Sequence, residues 1–360
     1  MPSKSNSAKS SHRTAIICVI PGEGLGAETV LEEMLLGWDV NHHPLTIVSP
    51  PGSRIHRVGT ECGLKVVDFS ATRDSFLPNL QAAGRLRKQL GDCTALHAWG
   101  SRAFESTLHL GRRLDLPVYG TLLDHANADF HGSLRRKLMK FSANRFTHLV
   151  GASQAVIDVC RENGYTSRMS VIYTGLNDLP VPKRTEQEYV RVGFLGMYAA
   201  WKGFNLIKPW IEDTAKLPAT WKLYGDLHTD VEPHLTGMQS DRFELRGRQP
   251  TEEIFEEIDF LVHASTHFDP FPTVLIEAAR AGIPVVASDD GGSPEMVVED
   301  KTGFLFNHHR PEPGLAAVRK LIADPEKRRE MGHAARARFE TGFRVPDMVQ
   351  HYHNLWTGHA

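Results

Sequence analysis

The feature that most constrains what this chain can fold into is an alternation of short apolar runs with amphipathic segments. The first apolar run, residues 15–20, is rich in β-branched side chains and leads through a glycine-rich loop into a helical pattern. Later runs, such as 94–99 and 190–196, repeat the arrangement, with helical stretches of about 10 to 15 residues between strands. Strands that alternate with helices form parallel sheets covered by helices on both faces. We therefore expect an α/β protein built on doubly wound parallel sheets.

One interruption of this alternation indicates where the first domain ends. The segment 178–189 contains two prolines and a cluster of charged residues, which is typical of a linker. A chain of 360 residues is also long enough for about two domains of ordinary size. We therefore predict a polar, disordered tail at 1–13, a first domain at 14–178, a linker at 179–189 and a second domain at 190–345.

Composition and charge exclude several classes of protein. The 41 basic and 43 acidic residues give a net charge of −2, so nothing global favours a nucleic-acid partner. The four cysteines have no C-x-x-C spacing, which argues against a zinc ribbon or a disulfide scaffold and favours a reducing compartment. The apolar run 15–20 is too short for a signal peptide or a membrane span. These observations predict a soluble, cytoplasmic protein without a metal site.

The residues with the clearest chemistry surround two carboxylates in the second half of the chain. Asp269 and Glu277 are eight positions apart, and the prolines at 270 and 272 prevent one continuous helix from joining them. We expect a helix to begin near Thr273, with Asp269 folded back over its start. The amide groups of a helix N-terminus suit a phosphate, and carboxylates accept hydrogen bonds from hydroxyl groups. A phosphate beside a polyol indicates a nucleotide sugar.

This segment resembles the acidic-x7-Glu signature of the family 4 glycosyltransferases, also called group 1 glycosyl transferases. The matching positions are Asp269, Phe271, Glu277, Ala278, Gly282, Pro284, Val285, Val286, Gly291, Gly292, Pro294 and Glu295. The stretch 193–207 is similar to the start of the family's donor domain, with Gly196, Lys202 and Gly203 in place. The resemblance covers nearly the whole chain and is stronger in the second half.

The resemblance implies the GT-B fold, in which two Rossmann-like domains face each other across a cleft. The second domain would hold the nucleotide sugar, the first would hold the acceptor, and a final helix at 346–360 would cross back to the first domain. The implied reaction is a retaining transfer that needs no metal and no cofactor, with a UDP- or GDP-sugar as substrate. The acceptor is left open as a glycan, a lipid-linked molecule or a small molecule.

The family pattern also implies roles for individual residues. Lys202 would neutralise the donor diphosphate, Glu277 would bind the ribose, and Asp269 would bind the sugar hydroxyls. The implied donor-binding residues are Gly196, Met197, Lys202, Arg248, Phe271, Thr273, Val274, Glu277 and Glu295. The implied catalytic residues are Lys202, Asp269, Glu277 and His125. Gly24 and Gly26 of the glycine loop and His97 would lie near the acceptor.

Several positions depart from the family pattern. Met197 stands where the family has an arginine, so one cation remains where two are usual. Arg246 or Arg248 is a candidate to replace that arginine, and a surface role is the alternative for each. Leu123 occupies the family's histidine position, and His125 two residues later either replaces that histidine or lies in a turn. These departures leave open an alternative function, a catalytically impaired GT-B protein that binds nucleotide sugars or acts as a scaffold.

Two further patterns have rival interpretations. The glycine loop also fits a dinucleotide-binding fingerprint, but the next apolar run, 45–49, ends without the acidic residue that would bind a ribose. The segment 133–146 is a basic amphipathic helix with no acidic residue. Such a helix can make peripheral contact with an anionic membrane. It can equally be a solvated basic face or line a groove for an acceptor phosphate.

Overall fold

The structure is a computed structural model of the chain. It describes residues 12–20, 26–40, 43–69, 84–124, 133–184, 187–226 and 243–358. The predicted disordered tail lies almost wholly outside these ranges.

The strands of the described ranges form two parallel sheets. The seven-stranded sheet has the order β3-β2-β1-β4-β5-β6-β7. Its strands are β1 (Thr14–Ile17), β2 (Leu45–Ser49), β3 (Lys65–Asp68), β4 (Ala95–Trp99), β5 (Val118–Leu122), β6 (His148–Gly151) and β7 (Met169–Val171). The central strands are buried along their whole length because helices cover both faces. The predicted doubly wound architecture is confirmed.

The second sheet has six strands in the order β10-β9-β8-β11-β12-β13. Its strands are β8 (Val190–Leu195), β9 (Ala219–Tyr224), β10 (Phe243–Gly247), β11 (Phe260–His263), β12 (Val285–Ser288) and β13 (Gly303–Phe306). The first strand of this sheet, β8, lies between β9 and β11, so successive strands are added first on one side of β8 and then on the other. This reversal matters for function because ligands of open α/β sheets bind at such a point.

Helices connect the strands in both halves. They are α1 (Gly26–Leu36), α2 (Arg54–Glu61), α3 (Phe104–Leu114), α4 (Ser133–Ala143), α5 (Gln154–Glu162), α6 (Phe204–Thr214), α7 (Thr251–Glu256), α8 (Thr273–Arg280), α9 (Ser293–Met296), α10 (Glu312–Ala323), α11 (Pro325–Gly342) and α12 (Val345–Thr357). The helix expected to begin near Thr273 does begin there, as α8. None of the helices in the described ranges is both long and apolar enough to cross a bilayer.

The chain divides into two compact units, one comprising residues 1–177 and 345–360 and the other Asp178–Arg344. The final helix, α12, therefore belongs to the first unit although it follows the second in sequence. One face of this helix is buried, at Met348, Tyr352, Leu355 and Trp356. Spacing of three or four residues places these side chains on one face of a helix, where they join the core of the first unit.

The segment that follows Asn177 is fastened to the second unit by arginines. Arg336 of α11 pairs with Asp178 at 2.7 Å and donates a hydrogen bond to the carbonyl of Leu179 at 3.0 Å. Arg184 donates to the carbonyls of Ala281 and Gly282 at the end of α8. The described part of the segment predicted as a linker thus packs against the second unit.

Candidate functional site

The candidate site lies in the second unit, where the carboxyl ends of β8 and β11 are adjacent. These two strands pair in parallel from Phe260 opposite Val192 to Val262 opposite Phe194. The loops that follow them therefore leave the sheet at the same edge. The order of strands reverses at this edge, which is where ligands of open α/β sheets bind. Lys202 follows β8 and Asp269 follows β11, so the topology brings the two predicted residues to one place.

A close approach of two backbones positions Lys202. The residue ends a 3₁₀ turn, Ala200–Lys202, and is followed by Gly203 in the left-handed region with φ of 84°. A Cβ atom at Gly203 would lie 1.7 Å from the carbonyl oxygen of Ala264, so only glycine fits. The amide of Thr266 donates to the carbonyl of Trp201 at 2.9 Å. The turn that carries Lys202 is thereby held against the segment after β11.

Lys202 and Asp269 form a partly buried ion pair. The Nζ atom of Lys202 lies 2.7 Å from Oδ2 of Asp269, and the two side chains are only 22% and 15% exposed. The same ammonium group lies 4.6 Å from the centre of the Trp201 ring, within the range of a cation–π contact. Trp201 itself is 39% exposed. The sequence pattern assigned Lys202 and Asp269 to different parts of the donor, and the structure joins them.

The two glycines that end the motif support the segment that carries Asp269. The amide of Gly292 donates to the carbonyl of Asp269 at 2.9 Å. A Cβ atom at Gly291 would lie 2.0 Å from that same carbonyl oxygen. The segment after β12 therefore lies directly on the backbone of Asp269, which explains why small residues occur at this spacing from the carboxylate.

Helix α8 presents its first turn to the same edge of the sheet. The leading amide groups of a helix have no acceptor within it, and here they belong to Thr273 and Val274. The ring of Phe271 is buried and lies 6.2 Å from the ring of Phe343, so this residue contributes packing and its backbone rather than an exposed side chain. Glu277 is half-buried within α8. Positive potential at the start of α8 adds to the ammonium of Lys202.

Glu295 is placed by the next helix in the sequence. It lies in the short helix α9 and is half-buried. Its backbone carbonyl accepts a hydrogen bond from Arg338 of α11, which also donates to the carbonyl of Met296 at 2.7 Å. Arg338 thus fixes the end of α9.

A pocket of about 260 Å3 lies beside the end of β8. It is lined by Leu195, Gly196, Met197, Tyr224, Gly225, Asp226, Arg248, Gln249 and Ile254. Three predicted donor-binding residues, Gly196, Met197 and Arg248, therefore line one cavity. Arg248 pairs with Asp226 at 2.8 Å while remaining 71% exposed. Its guanidinium group is available at the rim of the pocket in which Met197 replaces the family's arginine.

Arg246 has a different role from Arg248. It bonds Glu257 through Nη2 at 3.0 Å and Glu244 through Nη1 at 3.0 Å. Glu257 also accepts from Lys222 and from the hydroxyl of Tyr224, so this glutamate ties β9, β10 and the end of α7 together. Partial burial raises the pKa of Glu257, but the hydrogen bonds from Lys222 and Tyr224 and the charges of Lys222 and Arg246 lower it overall. Of the two arginines considered from the sequence, Arg248 is the one whose side chain faces the pocket.

His263 is a site residue that sequence reasoning did not assign to the donor. It ends β11, is 4% exposed, and its Nε2 atom lies 3.9 Å from Oδ2 of Asp269. Burial lowers its pKa to about 4, with Asp269 raising it and Lys202 lowering it. A histidine that ends an otherwise apolar strand was the available signal. Within the described ranges no group of three or more His, Cys, Asp or Glu side chains is placed to hold a metal ion.

His97, predicted to lie near the acceptor, is placed in the core of the first unit. The residue lies within β4 of the first unit and is completely buried. Its Nε2 is 2.8 Å from the hydroxyl of Thr121, and its Nδ1 accepts from the indole of Trp356 at 3.1 Å. Burial lowers the pKa of the ring to about 3. Because α12 covers it, His97 in this conformation is part of the core and does not reach solvent.

The other predicted residues of the first half are only partly visible. Gly24 and His125 lie outside the described residues. Gly26 is the first residue of α1 and is exposed. Asp124 accepts a hydrogen bond from the hydroxyl of Ser101 at 3.0 Å, which joins the carboxyl ends of β4 and β5.

Two parallel-sheet α/β units of this kind make up the GT-B fold. A model of group 1 glycosyl transferases matches residues 238–338, and a model of glycosyltransferase family 4 matches residues 25–178. The chain belongs to the group 1, family 4 glycosyltransferases.

Curated relatives agree with this assignment. An uncharacterised glycosyltransferase of Methanocaldococcus jannaschii is 26% identical over 229 residues, which cover 62% of this chain and 63% of the relative. The sulfoquinovosyl transferase of Arabidopsis thaliana is 30% identical over 154 residues, which cover 42% of this chain and 29% of that enzyme. The matched part of the chain thus spans less than two thirds of the length of these relatives.

Solved structures show the same fold over almost the whole chain. The Anabaena protein HepE, solved in complex with UDP and glucose, has a TM-score of 0.80 at 19% identity and covers 96% of this chain and 100% of HepE. Sucrose-phosphate synthase from Thermosynechococcus elongatus has a TM-score of 0.73 at 16% identity and covers 96% of this chain and 98% of that protein. At these identities the likeness concerns the fold alone.

Proposed function

We propose that this protein transfers a sugar from a nucleotide-sugar donor, bound by the second unit, to an acceptor, with retention of configuration and without a metal ion. The observation that carries the proposal is the pairing of Lys202 with Asp269 at 2.7 Å where β8 and β11 end, next to the first turn of α8. A cation, the leading amides of a helix and a carboxylate at one edge of the sheet match a donor that has both phosphates and hydroxyl groups.

The diphosphate is assigned to Lys202 and the start of α8. When the bond between the sugar and the diphosphate breaks, negative charge develops on the leaving phosphate. A preorganised ammonium group and the amides of Thr273 and Val274 stabilise that charge without the need to reorganise water. This arrangement supports leaving-group stabilisation by the protein itself. Family membership supports attack by the acceptor on the face that the diphosphate leaves, and we assign no general base.

The sugar and the nucleoside are assigned to the residues around this centre. Asp269 accepts hydrogen bonds from sugar hydroxyls, and Glu277, half-buried within α8, binds the ribose. The pocket beside Met197 holds the base, and Arg248 at its rim supplies the second cation that the position of Met197 lacks. A UDP-sugar is the first donor to test because HepE, which shares the fold, was solved with UDP-glucose.

Thermal unfolding with a panel of nucleotide sugars tests donor binding. A donor present at a concentration of 100 times its Kd stabilises the folded state by about 2.7 kcal/mol, which raises the melting temperature measurably. UDP-glucose, UDP-N-acetylglucosamine, ADP-glucose and GDP-mannose form the panel. Slow hydrolysis of the donor that binds, followed by release of the nucleoside diphosphate, then measures turnover.

Variants of the ion pair connect binding to the site. Lys202→Met leaves the carboxylate of Asp269 without its counter-ion, which can itself destabilise the fold. The double variant Lys202→Met, Asp269→Asn removes both charges, so that a loss of donor affinity can be distinguished from a loss of stability. Both variants should lose donor binding, as should Glu277→Ala in part. Lys320→Met is the control, because Lys320 is an exposed lysine of α10 in the same unit. Equal binding by Lys202→Met and the control would contradict the assignment of the diphosphate.

The alternative function, a catalytically impaired protein that binds nucleotide sugars, is favoured by one observation. Met197 lines the pocket and is 39% exposed, so the position that carries the family's arginine offers no charge there. Binding of a nucleotide sugar without hydrolysis or transfer in any acceptor mixture would support this alternative. Hydrolysis that is lost in Glu277→Ala would support the enzyme.

Helix α4 of the first unit suits an acceptor at a membrane. Leu134 and Phe141 are 70% and 51% exposed and lie seven residues apart, so they share one face. Lys137 on the same face and Arg145 just after the helix are also exposed, and Arg145 lies 3.5 Å from the centre of the Phe141 ring. Apolar side chains framed by cations favour contact with an anionic lipid surface.

Sedimentation with lipid vesicles tests this contact. The protein should bind vesicles that contain phosphatidylglycerol and should bind phosphatidylcholine vesicles weakly. Leu134→Glu with Phe141→Glu should abolish binding, whereas Leu245→Glu, at an exposed leucine of the second unit, should leave it unchanged. Binding that survives the double variant would contradict the assignment of the α4 face.

A further inference from the structure

His263 is a buried histidine whose position the proposed function does not explain. It is 4% exposed at the end of β11, where most residues of the strand are apolar and buried. Within the described residues its Nε2 atom has no hydrogen-bond partner. A buried polar atom without a partner costs about 1 to 3 kcal/mol, so such an atom needs an explanation. Oδ2 of Asp269 lies 3.9 Å from this atom.

The explanation lies in what donor binding does to the ion pair. Lys202 donates a hydrogen bond to Asp269 at 2.7 Å. A diphosphate that recruits the ammonium of Lys202 takes the counter-ion from a carboxylate that is only 15% exposed. A charge left in that position without a hydrogen bond is strongly destabilised. The sugar hydroxyls donate to this carboxylate but do not fix its orientation, so a protein group is needed to replace the hydrogen bond from Lys202.

His263 meets this need by its geometry. Its imidazole is buried, and Nε2 is about 1 Å beyond hydrogen-bond distance from Oδ2 of Asp269. A small rotation of the Asp269 side chain away from Lys202 closes that gap. Asp269 and Lys202 are the charged groups that act on the imidazole, and burial holds the ring in its neutral form. The neutral tautomer with its proton on Nε2 donates to the carboxylate without adding charge to the site.

We propose that His263 is a positioning residue that takes over Asp269 from Lys202 when the donor binds, and so holds the carboxylate towards the sugar hydroxyls. The inference rests on the proposed function and deepens it. Lys202 and Asp269 form an ion pair at 2.7 Å. Binding of the diphosphate separates them, Lys202 then contacts phosphate, and the Asp269 carboxylate moves to the hydrogen bond from His263.

Two substitutions at His263 and one control test this role. His263→Leu removes the hydrogen-bond donor and fills the position in the strand with an apolar side chain. His263→Gln keeps an N–H group at similar reach and should rescue part of the effect. His267→Leu is the control, because His267 is an exposed histidine of the same loop and its imidazole bonds only the hydroxyl of Thr266 among the contacts described.

The measurement compares the affinity for a nucleotide sugar with that for its nucleoside diphosphate. Isothermal titration uses UDP-glucose against UDP and GDP-mannose against GDP. Because Asp269 is assigned to the sugar, His263→Leu should lower the affinity for the nucleotide sugar about 10-fold, the value expected for loss of one hydrogen bond to a charged group. The affinity for the nucleoside diphosphate should change less than about twofold. A structural role alone would weaken both ligands equally.

Each outcome decides the matter. Equal losses for the two ligands, or wild-type affinity in His263→Leu, would overturn the role of His263 while leaving the proposed function intact. No rescue by His263→Gln beyond the level of His263→Leu would also overturn it. Wild-type protein that binds none of the four ligands would instead overturn the proposed function, and with it the inference. Circular dichroism and thermal unfolding confirm that each variant is folded before titration.

Discussion

The close approach at Gly203 leads to a quantitative prediction about stability and donor binding. Gly203→Ala places a Cβ atom 1.7 Å from the carbonyl oxygen of Ala264, whereas Cβ atoms in proteins essentially never come closer than 3.0 Å. The 3₁₀ turn that carries Lys202 must therefore move by about 1 Å or more in a close-packed region. The substitution also puts alanine at φ of 84°, where a side chain is strained.

The two costs are added to estimate the effect. The left-handed conformation costs about 1 to 2 kcal/mol, and forced repacking costs about 1 to 3 kcal/mol. We expect the free energy of unfolding of the second unit to fall by about 3 kcal/mol. For a domain of this size that corresponds to a decrease of roughly 6 to 12 °C in melting temperature. Since Lys202 moves with the turn, affinity for the donor should fall as well.

The control is another glycine of the same unit in the same backbone region. Gly282 has φ of 65°, and a Cβ atom there would meet no atom closer than 3.5 Å. Gly282→Ala should cost only the strain of about 1 to 2 kcal/mol and leave donor affinity unchanged. Differential scanning calorimetry and titration with the nucleotide sugar measure both effects. If Gly203→Ala is no less stable than Gly282→Ala, the argument from backbone contact is refuted.

Further predictions concern the histidines, the final helix and the two arginines. Lowering the pH from 7 to 5 should cost each unit about 2 kcal/mol of unfolding free energy in urea titrations, because burial lowers the pKa of His97 to about 3 and of His263 to about 4 while the unfolded chain takes up protons near pH 6.5. Trp356→Phe should cost about 2 kcal/mol, since it removes the hydrogen bond to the buried Nδ1 of His97. Arg248→Met should weaken binding of the nucleoside diphosphate without changing the melting temperature, and Arg246→Met should lower the melting temperature more than it changes affinity.

Each of these expectations has a result that would contradict it. For a histidine whose folded pKa lies below its unfolded value, stability is present above about pH 6.5 and is lost as the pH falls towards the folded pKa. Equal stability at pH 7 and pH 5 would therefore rule out the depressed values. A fully stable Trp356→Phe would show that His97 needs no partner at Nδ1. Unchanged nucleotide affinity in Arg248→Met would show that another group compensates for Met197.

Local patterns in the sequence predicted those features that depend on neighbouring residues. The start of α8 at Thr273 follows from the prolines before it, because proline favours the first turn of a helix and excludes its interior. The buried face of α12 follows from helical spacing alone. The parallel sheets follow from the alternation of strands and helices. The structure confirms the predicted start of α8 and the predicted parallel sheets.

Pairings between distant segments were not available from such patterns. Lys202 and Asp269 are 67 positions apart, and their ion pair depends on the adjacency of β8 and β11. His97 matched a motif position, yet its burial was decided by the hydrogen bond from Trp356, 259 positions away. Arg246 and Arg248 were equivalent candidates until the position of Glu257 showed that it holds Arg246.

The sequence by itself determined the succession of strands and helices, the family of the protein and the chemical types of its donor-site residues. These properties are encoded within a few residues, through periodicity, proline and glycine. Only the tertiary structure decided which strands are adjacent, that Lys202 is held by Asp269, and that His263 lies behind this pair. The physical reason is that contact between distant segments depends on how whole elements pack, which no short stretch of chain specifies.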